Sequence, residues 1–109
     1  MADSENSEAF SQISTQDMLD ELNLDNTEEN NKLMSDLIQD SALIIIHAVN
    51  NNLSASEVNS DKIFNRAVKA LATQLYFDRT LSQGMSLGIQ LMIDHLKGEY
   101  AEWPADQQN

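Results

Sequence analysis

Apolar residues recur at three- and four-residue spacing through most of this chain, the period of helices with one buried face. Met34, Leu37, Ile38, Ala42, Ile45 and Val49 follow that spacing and predict a helix from about Glu28 to about Asn50. Thr27 suits its N-cap, and Glu28 and Glu29 complement the dipole of its first turn. Around Leu43 to Ile46 the apolar surface widens beyond one face. A short buried strand is the alternative there, but the helical period continues on both sides and no turn signal flanks the run. The extra width predicts burial on two sides, by the core and by a neighbouring subunit.

A shorter helix carrying Met18, Leu19 and Leu22 is expected upstream, capped by Ser14 or Thr15 with Asp17 in its first turn. Asp25-Asn26-Thr27 separates the two. Asn50-Asn51-Asn52 ends the long helix, and the polar stretch to Asn59 reads as a loop. Ser60 or Asp61 then caps a helix whose inner face is Phe64, Ala67, Val68, Leu71 and Leu75, continuing through Tyr76 and Phe77 to about Leu81. Gly84 is a natural terminator. A last helix is expected from about Met85 to Lys97, with Met85, Ile89, Met92, Ile93 and Leu96 inward and Gly98 as its stop. The expected fold is therefore all-α, a small bundle of about four helices. Met1 to Gln12 holds too few apolar residues to offset ordering entropy, although Phe10 and Ile13 are candidates to dock. The expected division is a disordered acidic N-terminal tail over 1–13, a helical domain over 14–100 and a polar C-terminal tail over 101–109.

Composition agrees with this reading. Three glycines and one proline in 109 residues favour helices over a turn-rich β fold, and 6% aromatic content makes the core aliphatic. A single domain of this length buries a limited share of its surface, so a partner subunit would add to its stability. The absence of cysteine excludes disulfides and thiolate metal sites. The longest apolar run, Ala42 to Ile46, is too short to span a bilayer. Met1 to Phe10 lacks the basic and apolar regions of a signal peptide, so cytoplasmic synthesis is expected.

The net charge of −12 is unevenly placed. Residues 1–30 hold nine acids and no Lys or Arg, whereas residues 62–97 hold five bases against two acids. A field of this sign repels a polyanion, so specific nucleic-acid binding is not expected. Two readings of the asymmetry stand: it confers solubility, or opposed halves attract each other between copies.

Candidate chemistry is sparse. His47 and His95 lie in apolar helical stretches and are read as satisfied, partly buried side chains. Asp94 adjoins His95, but helical neighbours point about 100° apart. There is no metal motif, no phosphate-binding glycine loop and no nucleophile elbow; Gly84-Met85-Ser86-Leu87-Gly88 lacks the strand–turn–helix context. Asp17 to Glu29 lacks the central glycine of a calcium loop. The Met85–Lys97 helix is too apolar for a DNA-reading helix. No catalytic, cofactor or metal site is therefore expected, and the chain does not read as an enzyme. Asp78 and Arg79, beside Tyr76 and Phe77, supply either a surface ion pair or an interface anchor, since Tyr, Phe and Arg are enriched at binding hot spots. The candidate interface residues are Tyr76, Phe77, Asp78 and Arg79 with Ile44 and Ile46 from the wide apolar stretch.

The stretch from Lys62 to Arg79, with Ala67-Val68, Leu71, Leu75-Tyr76 and Arg79 in helical register, resembles a helix of small tailed-phage and prophage head–tail connector proteins. The order of elements is similar too: an acidic start, a short helix over Asp17 to Leu24, then a longer one over Leu33 to Val49. The resemblance covers roughly residues 15–100. It implies a non-enzymatic structural protein, often labelled a DNA-packaging protein. Such proteins form a homo-oligomeric ring under the portal, about twelve-fold by the same resemblance, extend the DNA channel and present a surface to the next neck or tail component. It further implies an interface role for Tyr76, Phe77 and Arg79, and a final location at the virion neck. The alternatives from other classes are an acidic, DNA-mimic type of inhibitor and a small helical adaptor binding a protein partner.

Overall fold

The computed structural model of the chain describes residues 13–101. Among these residues there are five helices and no strand: α1 (Thr15–Glu21), α2 (Glu28–Val49), α3 (Ala55–Val58), α4 (Lys62–Phe77) and α5 (Leu87–Glu99). The fold is all-α. The expected N-terminal tail up to Gln12, with Phe10, and the C-terminal stretch from Glu102 lie outside the described residues.

Side-chain caps set most of the helix starts. The Ser14 hydroxyl accepts from the Asp17 amide, Thr27 from Asn30, and Ser86 from Ile89. Asp61 accepts from both Ile63 and Phe64 at the head of α4. Each cap satisfies amides that have no partner inside their own helix. After α1, Asn23 adopts a left-handed conformation (φ 58°), and the Leu24 amide donates back to the Leu19 carbonyl. Asn tolerates that geometry better than most residues, and the fold-back closes the helix.

The structure differs from the sequence expectation at three boundaries. The polar stretch after α2 contains the single turn α3, closed by the Ser54 amide and hydroxyl donating to the Glu57 carboxylate. It plugs Leu53 and Val58 into the core. α4 stops at Phe77 rather than Leu81, because the Asp78 carboxylate accepts from the Ser82 amide and hydroxyl and from the Thr80 hydroxyl, which curls the chain away. Gly84 therefore sits inside the loop, at φ 76°, and not at the helix end. α5 starts at Leu87 and runs through Gly98 to Glu99.

α2 and α4 form the main pair, with α5 packed on both and α1 on α2. Residues near the end of α4, Leu75 and Arg79, lie beside Leu33 and Leu37 near the start of α2, so the pair is antiparallel. The core is aliphatic around one ring: Phe64, Val68, Leu71 and Ile45 are sealed, together with Met18, Leu19, Met34, Ile89 and Leu96. Ala42, Ala67 and Ala72, all fully buried, let the helix backbones approach closely. Ile13, expected to belong to the tail, is buried with this set. Burial at this density is the main favourable term, and it overrides the modest helix propensity of three consecutive isoleucines in α2.

Candidate protein interface

The residues singled out from sequence fall in three environments. Tyr76 is half-buried against the core, with its ring edge-on to Phe77 at 5.0 Å between centroids. Phe77 is 72% exposed, the most exposed large apolar side chain among the described residues. Asp78 is committed to the loop that follows it. Its hydrogen bonds to Ser82, partly offset by desolvation, and those to Thr80 hold its carboxyl below the ordinary carboxylate range. It does not pair with Arg79; ion pairs among the described residues include Lys32–Asp36 and Glu21–Lys69.

Arg79 instead borders a hollow of about 390 Å³ between α2 and α4, lined by Leu33, Asp36, Leu37, Asp40, Ile44 and Leu75. The fold thus brings together Ile44 and Arg79, two candidates far apart in sequence. Asp36 and Asp40, one turn apart, set acid beside an apolar floor. Ile46 is corrected: it is 5% exposed and faces Leu53, Val58, Phe64 and Leu96 in the core. Two residues of helix turn it about 200° from Ile44, away from the hollow. The wide apolar stretch therefore divides, with Ile45 and Ile46 inward and Leu43 and Ile44 outward.

A second hollow, of about 400 Å³, lies against the outer side of α4. Asn65, Arg66, Lys69, Ala70 and Thr73 line it with Glu21 of α1, whose carboxylate is 2.9 Å from the Lys69 amine. On α5, Leu87 and Leu91 are 70% and 58% exposed and share one face at four-residue spacing. Sequence reading passed over both, although Leu87 and Leu91 fall outside the Ile89–Ile93–Leu96 face and were the signal.

The other end of the bundle carries a polar knot. The Tyr100 hydroxyl donates to Asp61 at 2.8 Å, and the Asn50 amide group donates to the Tyr100 carbonyl at 2.9 Å. Burial raises the Asp61 pKa, but hydrogen bonds with Tyr100, Phe64, Glu99 and Ile63 outweigh it and hold the carboxyl below its usual range. Glu99 is pushed up by desolvation, by the charge of Asp61 and by its hydrogen bond to Asp61. Desolvation and the bond to Asp61 raise Tyr100 as well. This knot ties α5 to the start of α4.

Both histidines are exposed, not partly buried as expected. His95 lies 3.9 Å from Glu99, one turn on, an acid that the sequence reading did not pair with it. Among the described residues no three His, Asp or Glu side chains converge to hold a metal ion, and no helix is long and apolar enough to cross a membrane. Comparison with protein-family models, with curated proteins and with solved structures gave no match.

Proposed function

We propose that this protein is a structural subunit of a phage or prophage head–tail connector ring, which attaches to the portal and extends the DNA channel without catalysing a reaction. The reading rests on the resemblance of the Lys62–Arg79 stretch. The observation that supports it best is the surface around the end of α4, where exposed Phe77 and the Ile44–Arg79 hollow present apolar, acidic and basic groups together. Large apolar side chains left in water beside charged ones mark protein contacts, and Arg with an aromatic residue is the usual hot-spot chemistry. The acidic surface also suits a channel that must let DNA slide without gripping it.

The experiment is light scattering after size exclusion, on the chain alone and mixed with the portal of the same phage. A ring-sized species, or a monomer that joins the portal complex, is the expected result. A monomer or dimer that ignores that portal would refute the connector reading and favour an acidic adaptor or inhibitor.

A further inference from the structure

The two hollows carry opposite charge patterns. The chain has 6 Lys and Arg against 18 Asp and Glu, yet Arg66 and Lys69 stand together on α4, with Lys62 one turn before Arg66. The α2–α4 hollow sets Asp36 and Asp40 about 6 Å apart along the helix axis, four residues at the ordinary rise. Arg66 and Lys69 are about 4.5 Å apart by the same measure, so the two rows can face each other. Each row also meets charge of the other sign in its own fold: Glu21 bridges Lys69, Arg79 borders the acids, and Lys32 lies 3.6 Å from Asp36. These bridges are solvent-exposed and worth little, which leaves the charges able to exchange partners. The patterns are mutual complements, Asp36 and Asp40 against Arg66 and Lys69, and Arg79 against Glu21.

We infer that the Arg66–Lys69 hollow of one copy docks on the Asp36–Asp40–Ile44 hollow of a second copy. This deepens the ring-subunit reading and rests on it. The occupant is another copy because the fold supplies the basic patch and its matching acidic strip on the same molecule, which lets local attraction act against the general repulsion of acidic chains. Around α4, Arg66, Lys69, Ala70 and Thr73 centre roughly 170° from Leu75 at 100° per residue. The two patches are thus different surfaces facing different ways, so the contact is head-to-tail and builds rings or filaments instead of closing as a two-fold dimer. Ile44 and Leu33 supply apolar contact, while the charges fix register and make assembly sensitive to salt.

A charge exchange on the full chain tests this. One variant carries Asp36→Lys and Asp40→Lys; the other carries Arg66→Glu and Lys69→Glu. Arg66→Glu alone, which keeps the Glu21–Lys69 bridge, guards against loss of fold, and circular dichroism checks all three. Sedimentation is run on each variant alone, on the mixture, and again with the portal if the wild-type chain assembles only there. The expected result is self-association weakened at least about tenfold in each variant, as for rows of charge made alike, and restored when the two are mixed, because every contact is then again between opposite signs. Wild-type assembly that neither variant weakens, or that mixing fails to restore, overturns this surface while leaving the ring reading intact. A wild-type chain that assembles neither alone nor on the portal overturns both.

Discussion

Ser41 offers the sharpest test of the packing. It lies in the middle of α2 between core residues, is fully buried, and its hydroxyl has no hydrogen-bond partner. A buried hydroxyl without a partner costs about 1–3 kcal/mol. Replacing it by alanine removes that cost and improves helix propensity by roughly 0.5 kcal/mol. Against this stands the void left by one oxygen, worth about 0.3 kcal/mol at the cavity coefficient for a volume on the order of 10 Å³. Ser41→Ala is therefore expected to stabilise the protein by about 1–3 kcal/mol, which for a domain of this size raises Tm by roughly 5–20 °C. Thermal and urea melts followed by far-UV circular dichroism measure it. Ser41→Val, with its extra volume in a sealed site, should fall below Ser41→Ala. An unchanged or lower Tm for Ser41→Ala would refute the reasoning, since it would mean that the hydroxyl has a partner in solution.

Asp61→Ala removes the α4 cap and the acceptor of the Tyr100 hydroxyl. The expected loss is about 2–3 kcal/mol, seen as a lower urea midpoint, with Asp61→Asn losing less. The pH dependence has two opposed parts. Asp61, lowered in the fold from 3.8, lends stability that is present above its unfolded pKa and lost as pH falls through the folded one. Glu99, raised from 4.5, lends stability that is present below that value and lost as pH rises through its folded pKa. Glu99→Gln, which removes the charge that faces Asp61, should raise Tm near neutral pH and remove the second slope; a wild-type slope in the mutant would refute its assignment to Glu99. Gly98 sits within α5 with nothing within 4 Å of the place a Cβ would take. Gly98→Ala should therefore stabilise by about 0.5–1 kcal/mol in the same melts.

Periodicity made α2 legible almost to the residue, because twenty-odd positions repeat one pattern between a Thr cap and an Asn stop. It failed where few residues decide. Leu53 and Val58 are the apolar members of a polar stretch, and Ser54 with Glu57 has capping-box spacing, yet their weight comes from the core they plug. The end of α4 depends on hydrogen bonds that Asp78 accepts from residues after it, a contact that outranks the apolar continuation to Leu81. Gly98 reads as a stop but remains helical because the next residues, Glu99 and Tyr100, are anchored to the rest of the fold. For the candidate surface, Phe77, Ile44 and Arg79 were legible from residue type. That Ile44 faces out while Ile46 faces in follows from the rotation of a helix against two neighbours, which a run of isoleucines does not disclose.

The fastening of Tyr100 to Asn50 and Asp61 also sets where the polypeptide leaves the bundle. Ala101 emerges where α2 ends and α4 begins, roughly 20 Å along α2 from Asp36. A fluorophore attached at Ala101 would therefore report on the end of the bundle that holds the Asp61–Tyr100 bond, about 9 Å along α2 from Ile44 but far from Asp36.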